Sequence, residues 1–161
     1  MSVVIGVDPG SHSAGIAVVE GEELKFSMTV DSLEDANWND EELGSFMVEF
    51  MLSVQEAIDT YEPELLVVEL CSVPANMHTN KLLAYWEASA IIAAAMSGIK
   101  IKRMRTKEAR KAGLGKGNLK KHEAIMKIRH EYSMELSDDE AEAIVFALAG
   151  VDYLETIYKT T

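Results

Sequence analysis

The chain has 161 residues, a length that fits one domain with a proper core. A hydrophobic fraction of 48% with no low-complexity tract excludes a disordered chain, and Cys71 as the single cysteine excludes a disulfide framework. The formal net charge of −12 argues, as a bulk figure, against a nucleic-acid partner.

Residues 3–8, VVIGVD, read as an apolar strand ending in an acid, and the run is too short for a secretory leader. A Pro9-Gly10 turn joins it to a second strand over 13–20. Leu24, Phe26, Met28 and Val30 alternate, which predicts a third strand over 23–30. Asn39 or Asp40 caps a helix to about Tyr61, with Leu43, Phe46, Met47, Phe50, Met51 and Val54 at helical spacing. LLVVEL, 65–70, is a continuous apolar run, as in a strand covered on both faces. A loop over 71–79 leads to a helix over 80–97 that Gly98 stops. IKIKRMR predicts another strand, and Gly113, Gly115 and Gly117 predict a flexible basic loop. A helix from about Leu119 to Tyr132 and a last one from Ser137 to about Ile157 complete the chain. The order β-β-β-α-β-α-β-α-α predicts a mixed α/β sheet with helices on its faces, in a single domain over 1–161. The alanine-rich run near residue 90 is interrupted by Glu87 and Ser89, so no membrane span is expected, and a reducing cytoplasm is the expected compartment.

Charge is unevenly distributed. Residues 100–132 carry 12 of the 15 Lys and Arg and only Glu108, Glu123 and Glu131 as acids, a local charge of +9 against −21 for the rest. Such a segment is either a solvated basic surface or an anion-binding one. Its candidate phosphate contacts are Arg105, Lys107, Arg110, Lys111, Lys116, Lys120 and Lys121.

Two acids end buried runs. Asp8 closes VVIGVD as Glu69 closes LLVVE, and a carboxylate in such a place costs free energy unless something positive meets it. If the two strands are neighbours, both acids emerge together at the sheet edge, where open α/β sheets place their sites. In SDDEAEAIVFAL, Ser137 and Glu140 form a capping box, so Asp138 and Asp139 fall in a first helical turn and suit the helix dipole. Glu142 lies among Ala141, Ala143, Ile144 and Val145, and shares a helix side with Asp139. Asp8, Glu69, Asp139 and Glu142 together make a hard-oxygen set suited to Mg²⁺ or Mn²⁺ rather than zinc. His12, His78, His122 and His130 lack zinc-ligand spacing. Two ions per site, about 4 Å apart, would suit phosphodiester hydrolysis.

At these residues the chain resembles the RuvC family of Holliday junction resolvases, within the RNase H-like superfamily. IGVDPGSHSAGIAVVE looks like the family's first motif, LLVVE its second and DEAEAIVFAL its last, and RKAGLGKGNLKKHE resembles its Gly-x-Gly loop and downstream lysine. The resemblance implies an RNase H-like five-stranded mixed sheet flanked by helices, a homodimer, Mg²⁺, and paired nicks across branched DNA. It implies metal-ligand roles for Asp8, Glu69, Asp139 and Glu142 and a contact from Lys121 to the scissile phosphate. Either Arg110 or Lys111 matches the family's other basic position. Two departures stand out: Glu142 replaces the usual Asp, and Ser72 stands where an aromatic is common, so that a stacking wedge is either missing or replaced by Met77 or His78. These resemble small phage members, so a bacterial or phage-infected host is the expected setting.

The helix over 80–97 is apolar on more than one side; core packing accounts for one face, and the resemblance implies a two-fold subunit contact on the rest, with Leu82, Leu83 and Trp86 as its expected residues. Rival readings are an RNase H or YqgF-like nuclease acting on RNA or an RNA–DNA hybrid, and a non-catalytic junction binder. A sugar-kinase-like phosphotransferase needs about two such lobes to close on a nucleotide, so no nucleotide cofactor is expected.

Overall fold

The structure, a computed structural model, describes residues 1–31, 39–71 and 77–160, with residues 77–79 described by backbone alone. Its elements are β1 (Val3–Asp8), β2 (Ser13–Glu20), β3 (Glu23–Asp31), α1 (Asp40–Tyr61), β4 (Leu65–Glu69), α2 (Met77–Met96), β5 (Lys100–Met104), α3 (Thr106–Leu114), α4 (Lys121–Tyr132) and α5 (Asp138–Thr160). They form one five-stranded sheet in the order β3-β2-β1-β4-β5. The first three strands are an antiparallel meander, whereas β4 and β5 add in parallel on the other side of β1.

The period-2 alternation of the strands sorts their side chains onto two covered faces. Ile5, Val7, Ile16, Val18, Leu66 and Val68 pack with α1 residues such as Phe50 and Val54 and α2 residues such as Ala90 and Ala93. Val4, Ala17, Val19, Leu65 and Val67 pack with α3, α4 and above all α5. Burial on both faces explains why β1 and β4 are continuous apolar runs.

Local signals set the helix ends as the sequence predicts. Asn39 accepts from the Glu42 N–H at 2.9 Å while Glu42 accepts from the Asn39 N–H at 3.1 Å, a complete capping box opening α1. Ser137 and Glu140 do the same for α5, at 3.0 and 2.9 Å.

Three expectations need correction. The segment after β5 is not a loop as far as Gly117, because residues 106–114 form α3, with Ala109 and Leu114 buried against α5. Gly113 lies within that helix, where a Cβ would come 2.8 Å from the Val145 carbonyl oxygen, so it serves close helix packing. Gly115 alone adopts a left-handed conformation, at φ 79°, and ends the helix. Second, α2 begins at Met77, three residues before the predicted start. Third, Trp86 is fully buried and cannot serve as an interface residue. Its indole stands edge-on to Phe46 and Phe50, with ring centroids 4.3 and 4.5 Å away, and locks α2 onto α1. Ser72 and the side chains of Met77 and His78 lie outside the described residues.

Candidate active site

Parallel pairing brings the first two acids together. Val7 on β1 is the partner of Val68 on β4, so Asp8 and Glu69 follow at the same level of the sheet. Alternation from Val4 and Gly6 on β1, and from Leu65 and Val67 on β4, aims both acids at the face that α5 covers. Asp8 is buried and Glu69 is half-buried.

α5 delivers the other two acids because its N-terminus is pinned to the antiparallel meander. The Ser13 hydroxyl donates to Asp139, Ser27 donates to Glu140 at 2.7 Å, and Thr29 shares a 2.6 Å hydrogen bond with Ser137. Gly15, the β2 partner of Asp8, lets the helix approach: a Cβ there would lie 1.9 Å from the Asp139 carbonyl oxygen. Asp139 and Glu142 thus enter the site from one helical turn, at the level where β1 ends.

The four carboxylates are electrostatically coupled. Burial pushes the Asp8 carboxyl well above the usual carboxylate range, and Glu69, Glu142 and Asp139 push it the same way, while the Lys121 ammonium opposes them. Burial also raises Glu69, a shift that the hydrogen bond from the Thr106 hydroxyl and the charges of Arg110 and Lys121 only partly offset against that of Glu142. Glu142 is 3% exposed, and one of its oxygens, Oε1, takes a 2.5 Å ion pair from Arg110 Nη2. The other, Oε2, is buried with no hydrogen-bond partner. Among the described residues no three acids, histidines or cysteines already stand gathered as a metal cage. The donor set nevertheless fits a hard divalent cation: it is all oxygen, mutually repulsive, and includes an orphaned buried carboxylate oxygen.

The basic residues divide in two. Arg105, Lys107, Lys111, Lys116, Lys120 and Lys121 are exposed from the residue before α3, through α3 and the connection after it, to the start of α4. Lys121, at the first position of α4, is close enough to act on both Asp8 and Glu69. Arg110 departs from the expected role of an open phosphate contact, because it turns inward to Glu142 and to the Leu119 carbonyl, 3.0 Å away. The same geometry favours Arg110 over Lys111 as the basic residue facing the acids. Leu82 and Leu83 are half-buried on α2. Sequence reasoning missed Ser13 and Thr106 as carboxylate partners. Thr106 opens a helix the sequence did not reveal, and Ser13 lies 126 residues from Asp139, beyond any local signal.

Comparison with known proteins bears on this site. The sequence model of the family described as crossover junction endodeoxyribonuclease RuvC matches residues 4–149. The chain belongs to the RuvC family. RuvC of Brachyspira hyodysenteriae is 26% identical over 149 residues, which cover 91% of this chain and 92% of that protein. RuvC of Pseudarthrobacter chlorophenolicus is 31% identical over 125 residues, covering 78% and 65% respectively. In structure, Thermus thermophilus RuvC in complex with a Holliday junction substrate superposes with a TM-score of 0.81 at 20% identity, covering 97% of this chain and 96% of that one. The RNase H-like fold predicted for this RuvC chain is the fold observed, with α3 as a helix the prediction lacked.

Proposed function

We propose that the protein is a divalent-metal-dependent endonuclease that nicks four-way or other branched DNA by phosphodiester hydrolysis. The observation that carries the reading is the convergence of Asp8, Glu69, Asp139 and Glu142 from β1, β4 and α5 on one electrostatically coupled site beside the basic segment. Asp8, Glu69, Asp139 and Glu142 would hold Mg²⁺ or Mn²⁺, with oxygen donors enough for two ions. When bound, the metal supplies Lewis-acid stabilisation of the charge that develops on the phosphoryl oxygens.

The chain's own residues do the rest. Ser13 and Thr106 fix the rotamers of Asp139 and Glu69, so the acids are oriented before substrate arrives. The exposed Arg105, Lys107, Lys111, Lys116 and Lys120 draw the phosphate backbone toward a protein whose remaining charge of −21 repels it. Lys121, next to the acids, neutralises the reacting phosphate. Paired nicks on opposite strands require two sites in fixed geometry, which a homodimer supplies. Leu82 and Leu83, together with the exposed Ile92 and Met96 of the same helix, are the apolar surface for that contact. Among the described residues no helix is long and apolar enough to cross a membrane.

The test is incubation with a synthetic four-way junction, a linear duplex and an RNA–DNA hybrid, with and without Mg²⁺. Symmetric nicks in the junction that require the metal are expected. Preferred cleavage of the hybrid, or junction binding with no cleavage in Mg²⁺ or Mn²⁺, would overturn the reading in favour of a hybrid nuclease or a non-catalytic binder.

A further inference from the structure

We propose that Arg110 is a built-in counter-cation of the carboxylate site: it neutralises Glu142 in the metal-free protein and releases it when a divalent cation binds. The inference rests on the reading of the four acids as a metal centre.

The pair is deep and incomplete. The Arg110 and Glu142 side chains are 12% and 3% exposed, and their contact of 2.5 Å is a strong one. Yet it runs through a single nitrogen and a single oxygen. Arg110 Nε and Glu142 Oε2 are both buried without partners. A guanidinium and a carboxylate can meet through two parallel hydrogen bonds, and that arrangement would have satisfied both orphans. A half-satisfied buried network is a poor way to stabilise a fold. It is a reasonable way to hold a carboxylate for something else.

The charges around the pair say what that something is. Four carboxylates, Asp8, Glu69, Asp139 and Glu142, converge against two cations beside them, Arg110 and Lys121, so the cluster lacks positive charge. Arg110 is the internal cation of the two, because Lys121 is exposed. A divalent ion bound to the same acids brings more charge and repels a guanidinium that shares a carboxylate with it. Binding of the ion and retention of the Arg110–Glu142 pair are therefore antagonistic, and each weakens the other by the same factor. Arg110 also has somewhere to remain: Nη1 donates to the Leu119 carbonyl at 3.0 Å, so losing Glu142 does not cast the side chain loose. The freed guanidinium joins the basic segment as one more group for DNA phosphate.

Manganese binding to the purified, metal-free protein, followed by calorimetry or by the spin signal of free Mn²⁺, tests this without any cleavage assay. Arg110→Gln removes the competing charge, and if the pair keeps Glu142 occupied in about nine molecules of ten, apparent Mn²⁺ affinity should rise about tenfold. An affinity in the variant equal to or weaker than wild type overturns the inference, since Arg110 would then be an orienting clamp, and leaves the metal centre standing. No Mn²⁺ binding by the wild type at millimolar concentration overturns the metal centre itself, and the inference with it. Should Arg110→Gln not fold, the wild type decides: the Arg110 guanidinium N–H signals, protected from exchange by the pair, should lose protection on Mg²⁺ saturation. Protection that persists at saturation refutes the release.

Discussion

Substituting Gly15 by Ala should displace the helix that carries half of the acids. A Cβ at this position would lie 1.9 Å from the Asp139 carbonyl oxygen and 2.4 Å from its carbonyl carbon, and contacts under 3.0 Å are essentially never found. The obstruction is backbone on both sides, so no side chain can rotate out of the way. Clearing the oxygen alone requires the first turn of α5 to retreat from β2 by about 1 Å. That turn carries Asp139 and leads into Glu142, while Asp8 stays on β1, directly opposite Gly15. A misplacement of about 1 Å costs about 100-fold in rate where catalytic groups must converge. The overpacking should also destabilise the fold by about 1–3 kcal/mol. The assay is single-turnover cleavage of a four-way junction at saturating protein, alongside thermal melting and junction binding. Gly44→Ala is the control: nothing lies within 4 Å of a Cβ there, within α1, so it should leave cleavage unchanged and stabilise the helix by about 0.5–1 kcal/mol. A folded Gly15→Ala protein that cuts within about threefold of wild type would refute the claim that α5 is held at the required distance by this contact.

Asp8→Asn should abolish cleavage by at least about 100-fold while junction binding persists, as single-turnover and gel-shift measurements would check. The same variant should melt higher than wild type in the metal-free state at neutral pH. Because the folded-state pKa of Asp8 is raised, the folded protein binds that proton more tightly than the unfolded chain, and metal-free stability falls as pH rises from the ordinary carboxylate range through the raised value. Melts in chelator from about pH 4 to about pH 8 should therefore show the gap between variant and wild type closing in acid; a constant gap would contradict the assigned burial. Lys116→Ala should reduce the salt slope of junction binding by about one with little effect on the bound cleavage rate, whereas Lys121→Ala should slow cleavage more than it weakens binding. Equal, negligible effects at both would return residues 100–132 to a merely solvated surface. Trp86→Ala should cost about 3–5 kcal/mol in denaturant unfolding, as expected where a core indole seated between two phenylalanine rings is removed. A loss of dimer at unchanged monomer stability would instead return Trp86 to the interface.

The strands, the capped helices and the positions of Asp8 and Glu69 were legible in the sequence because they rest on signals a few residues long. Apolar runs marked β1 and β2, alternation marked β3, the continuous run of β4 marked it as covered on both faces, and capping residues at 39–40 and at Ser137 announced the starts of α1 and α5. The four acids could be nominated one by one for the same reason, since each sits at the end or start of such an element. What no short window contained was the meaning of the apolar and basic residues whose partners are distant. Trp86 is apolar on an apolar helix, and only the packing of α1 against α2 decides that it faces Phe46 and Phe50 rather than a second subunit. The glycines between 113 and 117 read as a loop, and only the close approach of α5 shows that one of them is a contact surface within α3. Arg110 counts as one more positive charge in a basic run until the fold buries it against Glu142, 32 residues away. Local backbone preference depends on near neighbours, so sequence carries it. Which cation meets which carboxylate depends on the distances the sheet and α5 impose, and those exist only once the chain has closed on itself.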